Sequence, residues 1–116
     1  MDINDLKLRL REFAHERDWD QFHAPKNLAS ALIVEAAELL EHFQWLSEEQ
    51  SRSLPDSTHA EVEAELADVF IYLVRLADKL DVDLMNAAER KILVNEERYP
   101  AGASRGKSDK YTRYRK

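Results

Sequence analysis

The chain contains no cysteine among its 116 residues. That excludes a disulfide framework and any cysteine-ligated zinc or iron–sulfur centre. Glycine is nearly as scarce. Its two occurrences, at 102 and 106, fall at the end of the chain, and the three prolines stand at 25, 55 and 100. Long stretches are therefore free of the residues that interrupt helices. No apolar run approaches the roughly 20 residues that a bilayer crossing requires. The opening Met1-Asp2-Ile3-Asn4-Asp5 lacks both the basic region and the apolar core of a secretion signal. These absences lead to the expectation of a soluble cytoplasmic protein. Strand-like alternation and internal repeats are missing as well.

Positive charge is in short supply over most of the chain. The net charge is −6, but Arg105 to Lys116 alone carries +5, which leaves the body at −11. A body so acidic argues against gripping duplex nucleic acid, which calls for a basic face. It suits a protein that binds cations and handles phosphates through them. The basic stretch reads either as a solvated terminal tail or as a segment that folds over an anionic ligand or a neighbouring subunit. The length is that of one domain with a modest core, compatible with a helical dimer or a larger assembly.

What is present is helical periodicity. The spacing predicts a first helix over residues 3–17, an aromatic connector over 18–26, and a second helix over 27–46 with Pro25 near its start. A polar segment over 47–57, containing Pro55, reads as a loop. A third helix is expected over 58–80. A fourth, capped by Asp81 or Asp83, is expected to end near Tyr99 and Pro100. The expectation is an all-α four-helix bundle over residues 1–100, followed by a basic tail over 101–116.

Four acids stand where a solvated face would not put them. In the second helix Leu28, Leu32, Leu39, Phe43 and Leu46 share one arc at ~100° per residue. Glu35 falls in the middle of that arc, and Glu38 lies one turn on, toward Val34, His42 and Trp45. The third helix repeats the pattern. Val62, Leu66, Val69, Leu73, Leu76 and Leu80 form its apolar side, Glu65 points toward Val69 and Leu76, and Asp68 and Tyr72 sit on the flank. Each helix thus carries an acidic pair at i, i+3 on one face. Carboxylates buried without partners are costly, so they protonate, find cations or bind a metal. Magnesium fits an all-oxygen donor set, and manganese can replace it. The alternative is structural ion pairing with Arg75, Lys79, Lys91 or Arg98. A di-iron centre fits less well, because it uses Glu-x-x-His and Leu39 stands three residues before His42. His42 follows Glu38 by four residues and remains a weak accessory ligand.

These residues resemble a known family. Glu35-Ala36-Ala37-Glu38 followed by Glu65-Leu66-Ala67-Asp68 is similar to the E-x-x-E…E-x-x-D signature of the all-α nucleoside triphosphate pyrophosphohydrolases, the MazG-like superfamily. The run from Glu16 to Leu28, with Trp19-Asp20-Gln21-Phe22-His23, resembles its dCTP pyrophosphatase branch. So do Phe43-Gln44-Trp45, Asp68 to Leu73, and Asn95 to Pro100. The resemblance implies hydrolysis of a nucleoside triphosphate between its α- and β-phosphates, releasing a monophosphate and pyrophosphate. It implies Mg²⁺ held by Glu35, Glu38, Glu65 and Asp68, and a base pocket lined by Trp19 and Trp45. It places Lys91 and Asn95 on the nucleotide with Tyr72 nearby, and it implies homodimers or homotetramers.

A triphosphate carries about four negative charges, so an acidic site must meet it through metal ions that also generate the nucleophile. A carboxylate not fully committed to metal, Glu38 or Glu35, orients or deprotonates the attacking water. Lys91, Asn95 and Arg98 form one stripe at i, i+4, i+7, ending beside Tyr99, and offer a cation and an amide to phosphates and sugar. That stripe reads equally as an exposed polar face. The tryptophans read equally as core packing, and His23 as a residue fixing the connector or touching ligand.

The resemblance lapses in the first helix. Cytosine-preferring relatives carry a histidine where Leu10 and Arg11 stand here, and His15 lies nearer to Trp19. That leaves base preference open. Two other readings stay open with it. One is a non-catalytic helical interaction module with structural acid pairs. The other is a pyrophosphohydrolase for a different nucleotide such as phosphoribosyl-ATP.

Overall fold

The structure, a computed structural model, describes residues 1–108; Lys110, Arg113, Arg115 and Lys116 of the basic tail lie outside the described residues. Among the described residues every regular element is helical, as the periodicity predicts. Helix α1 (Ile3–Glu16) starts from a capping box. The Asp5 amide donates to Asp2 Oδ1 at 2.9 Å, and the Asp2 amide donates back to Asp5 Oδ2 at 3.0 Å. It ends in a Schellman turn without glycine. Asp18 takes φ +54°, its amide reaches the His15 carbonyl at 3.1 Å, and the Trp19 amide reaches that of Ala14 at 2.8 Å. A short 3₁₀ turn, Asp20–Phe22, then leads into α2 (Pro25–Glu41), with Pro25 in the first turn, where no N–H is needed.

Helix α2 stops five residues before the expected end at Leu46. Residues 42–46 coil into tight turns, with the Phe43 amide on the Leu40 carbonyl at 2.8 Å and the Leu46 amide on that of Phe43 at 2.9 Å. A capping box then launches a new helix. Ser47 Oγ accepts from the Gln50 amide, and Gln50 Oε1 accepts from the Ser47 amide, opening α3 (Glu48–Ser51) inside the expected loop. Trp45 therefore leaves the helix and stands 88% exposed. Helix α4 (Asp56–Lys79) begins two residues earlier than expected, directly after Pro55. A second glycine-free Schellman turn closes it, with Asp81 at φ +55°. Asp83, rather than Asp81, caps α5 (Leu84–Arg98) by accepting from the Asn86 amide. A single helical turn, α6 (Ala101–Ser104), lies within the stretch expected as tail.

The chain forms two compact units, Met1–Val82 and the segment from Asp83 onward. In the first unit α4 is the spine: α2 packs along it and α1 packs against it. The buried apolar set is small, comprising Ala14, Leu28, Val62, Val74 and Ala77. The apolar arc expected on α4 is divided. Val62 is buried and Val69 and Leu76 are half-buried, while Leu66, Leu73 and Leu80 face outward with Phe70. The physical reason is that α4 is apolar on more than one side, and Val74 and Ala77 from outside the arc take core positions. No helix among the described residues is long and apolar enough to cross a membrane.

Candidate metal centre and adjoining cleft

The packing of α2 on α4 brings two acidic pairs together. Glu35, Glu38 and Glu65 are each half-buried, and one oxygen from each lies within 4.8 Å of the others. Three carboxylates at that spacing repel. Burial, followed by the neighbouring Glu38, Asp68 and Glu65, pushes the Glu35 carboxyl up to about 7. Glu65 Oε2 is shut off from solvent with no hydrogen-bond partner among the described residues. An orphaned buried oxygen is expensive in the absence of something that binds it. Asp68 is exposed and lies outside the trio, but its charge acts on Glu35.

The ion-pairing alternative fails within residues 1–82. No lysine or arginine there pairs with any of the four acids. Arg75, 5% exposed, donates instead to Asp20 Oδ1 at 2.7 Å and through Nε to His23 Nδ1 at 3.2 Å. Lys79 also donates to Asp20, and Arg11 grips Asp78 with two bonds of 2.7 and 2.5 Å. These cations pin the aromatic connector and α1 to α4. They hold Asp20 and Asp78 below the usual carboxylate range, chiefly through the hydrogen bonds from Lys79 and Arg11 respectively. His42 is not part of the trio either. Its Nδ1 faces Glu61 at 3.6 Å.

Beside the acids opens a mostly apolar cleft of about 330 Å³. Four residues singled out from the sequence meet there: Trp19, His23, Tyr72 and Asp68. Leu10, Phe13, Ile71 and Arg75 complete the lining, and none of them had been assigned to the base pocket. The Schellman turn explains how Trp19 arrives. It reverses the chain after α1, so that the indole packs edge-on against Phe13 at 5.7 Å between centroids. The signal that would have found Phe13 is its place on α1 on the same side as Leu10, three residues away. Trp45 does not line this cleft. Lys91, Asn95, Arg98 and Tyr99 belong to the second unit, on α5 and at its end, and all four are exposed.

A family model described as the MazG-like family matches residues 31–113 of this sequence. The chain belongs to the MazG-like family. Among proteins of known activity it is similar to dCTP pyrophosphatase 1 of Mus musculus, 46% identical over 112 residues, and to that of Homo sapiens, 44% identical over 112 residues. Each match covers 95% of this chain, and the chain spans 66% of the length of these relatives. The crystal structure of a pyrophosphatase from Archaeoglobus fulgidus superimposes with a TM-score of 0.79 at 43% identity, over 84% of this chain and 91% of that one.

Membership of the MazG-like family suggests a divalent metal, and the donor set here fits one. It offers oxygen ligands only, three of them converging, with one buried oxygen that no group among the described residues satisfies. A thiolate-seeking metal finds no ligand of its kind, because the chain has no cysteine.

Proposed function

We propose that this MazG-like chain is a magnesium-dependent nucleotide pyrophosphohydrolase. It cleaves dCTP or a modified dCTP between the α- and β-phosphates, giving dCMP and pyrophosphate and clearing such nucleotides from the cytoplasmic pool. The observation that carries this reading is the shared edge between two features. Glu35, Glu38 and Glu65 converge at a cation site, and Asp68 both acts on Glu35 and lines the aromatic cleft. A nucleotide with its base in the cleft has its phosphates beside the carboxylates. The activity known for the dCTP pyrophosphatases of mouse and human supports the choice of substrate.

In this reading Glu35, Glu38, Glu65 and Asp68 hold Mg²⁺, with Mn²⁺ able to replace it on the same oxygen donors. Bound there, the metal offsets phosphate charge and acidifies the attacking water. Glu38 orients that water, and Glu35, which titrates near neutrality without metal, is the second candidate to take its proton. Trp19 and Tyr72 give the base flat surfaces, at a scale of about 1–3 kcal/mol per stacked base, and His23 gives it a polar contact. Trp45 serves as an outer aromatic wall. Lys91, Asn95, Arg98 and Tyr99 supply the cation, amide and phenol that phosphates and sugar call for. The exposed apolar residues Ile33, Val34 and Leu40 on α2 and Leu66, Phe70 and Leu73 on α4 support assembly as a homodimer or dimer of dimers. No face for duplex nucleic acid is part of this reading, since the body is acidic.

The test is a panel of dNTPs and modified dCTPs incubated with Mg²⁺, with products separated by chromatography. Turnover of dCTP, abolished in Glu38→Gln and Asp68→Asn proteins that keep their helical circular dichroism, is the expected result. Intact dCTP after incubation with the wild-type protein contradicts the proposal.

A further inference from the structure

The buried guanidinium of Arg75 is the charged group of the cleft whose role the pyrophosphohydrolase reading leaves unassigned. It lines the cleft while 5% exposed, and its Nε donates to Nδ1 of His23, itself a lining residue. An arginine Nε always carries its hydrogen and never accepts. The imidazole nitrogen facing it must therefore be bare, and a neutral histidine with a bare Nδ1 carries its hydrogen on Nε2. Among the described residues no group pairs with that Nε2. A doubly protonated His23 would set N–H against N–H beside two cations. Burial, Arg75 and Lys79 accordingly hold its pKa down, against the opposing pull of Asp20. Asp20 in turn steadies the guanidinium by accepting from its terminal nitrogen at 2.7 Å.

We propose that Arg75 is a positioning residue for the base cleft. It locks His23 in the Nε2–H tautomer, so that the cleft meets its ligand with an imidazole N–H donor and favours a base presenting a carbonyl oxygen or an unprotonated ring nitrogen. This rests on reading the cleft as a base pocket. It also assigns a means of base recognition to a cleft in which an apolar residue, Leu10, lines the first-helix side. A pyrimidine with an acceptor edge, as cytosine has at O2 and N3, meets the requirement.

Nitrogen-15 NMR of the histidine rings at pH 7, on the full chain without metal and titrated with dCMP, tests the proposal. The expected spectrum has His23 neutral, Nδ1 bare and Nε2 protonated, with the Nε2 resonance moving as dCMP is added. Arg75→Met should give a mixture of tautomers and weaken dCMP binding about tenfold, the scale of one net hydrogen bond. Its fold should survive, because Asp20 keeps Lys79 and Asp78 keeps Arg11. Arg11→Ala is the control for a merely structural role. It breaks the same ion network on the far side of Asp78 and should leave both the His23 spectrum and dCMP affinity unchanged. The proposal is overturned by a wild-type His23 with a protonated Nδ1, by dCMP failing to move Nε2, by unchanged affinity in Arg75→Met, or by an equal loss in Arg11→Ala. None of these readouts needs turnover. A protein that binds dCMP at His23 yet leaves dCTP intact would sink the pyrophosphohydrolase reading and leave this one standing.

Discussion

Replacing Glu35 by Gln should make the metal-free protein more stable at pH 8, the opposite of what removing a structural ion pair does. In the folded protein Glu35 sits half-buried among Glu38, Glu65 and Asp68, and its carboxyl titrates near 7 instead of the ordinary 4.5. A raised carboxyl pKa means that the folded state holds the proton more tightly than the unfolded state does. Folding stability from this group is therefore intact below about pH 4.5, falls as pH rises through 7, and is flat above. The shift sets a ceiling of about 3 kcal/mol at 1.36 kcal/mol per unit. Because water reaches the site, screening reduces the expected gain for Glu35→Gln to about 1 kcal/mol at pH 8, and to nothing at pH 4.5. Urea unfolding in EDTA at both pH values measures it. Adding Mg²⁺ at ten times its dissociation constant should stabilise the wild type by about 1.4 kcal/mol and the Gln variant much less. A Glu35→Gln protein less stable than wild type at pH 8 without metal would refute the reasoning, as would equal stabilisation of both by Mg²⁺.

Three further outcomes follow from the same geometry. Arg11→Ala leaves the Asp78 carboxylate, 7% exposed, without its hydrogen-bonded partner and with Arg75 at 3.5 Å, and should cost about 1–3 kcal/mol in urea unfolding; an unchanged midpoint argues against the bidentate pair. Asp81→Gly removes a side chain from a left-handed position where Asp81 makes no side-chain hydrogen bond among the described residues, and should stabilise the fold by about 0.5 kcal/mol by the same assay; destabilisation would contradict the Schellman assignment. Trp19→Ala strips one wall from the cleft, and should raise KM for dCTP about tenfold or more with kcat less affected; a change confined to kcat would remove the indole from base binding.

Most of the fold was readable because helical periodicity is local and uninterrupted by glycine. Where the reading erred, the cause was cap chemistry. Helix α2 ends at Glu41 and a capping box of Ser47 and Gln50 starts a new helix, while the periodicity that followed Phe43 and Leu46 ran on through the turns between them. Asp18 and Asp81 end helices in a conformation usually left to glycine, so neither announces the turn it makes. The acidic trio was readable from i, i+3 spacing inside apolar arcs. Which cations were spoken for was not. Arg75 and Lys79 turn to Asp20, 55 and 59 residues away in sequence, a pairing that only the docking of the connector on α4 determines. The outward-facing Leu66, Leu73 and Leu80 were likewise assigned to the core, since a helix apolar on two sides has no single inward face in its periodicity.

The most direct test of the central claim is phosphorus-31 NMR of dCTP incubated with the protein and Mg²⁺. The account predicts dCMP and pyrophosphate appearing in equal amounts, and no reaction in EDTA. Release of dCDP with orthophosphate, or turnover undiminished by chelation, would contradict it.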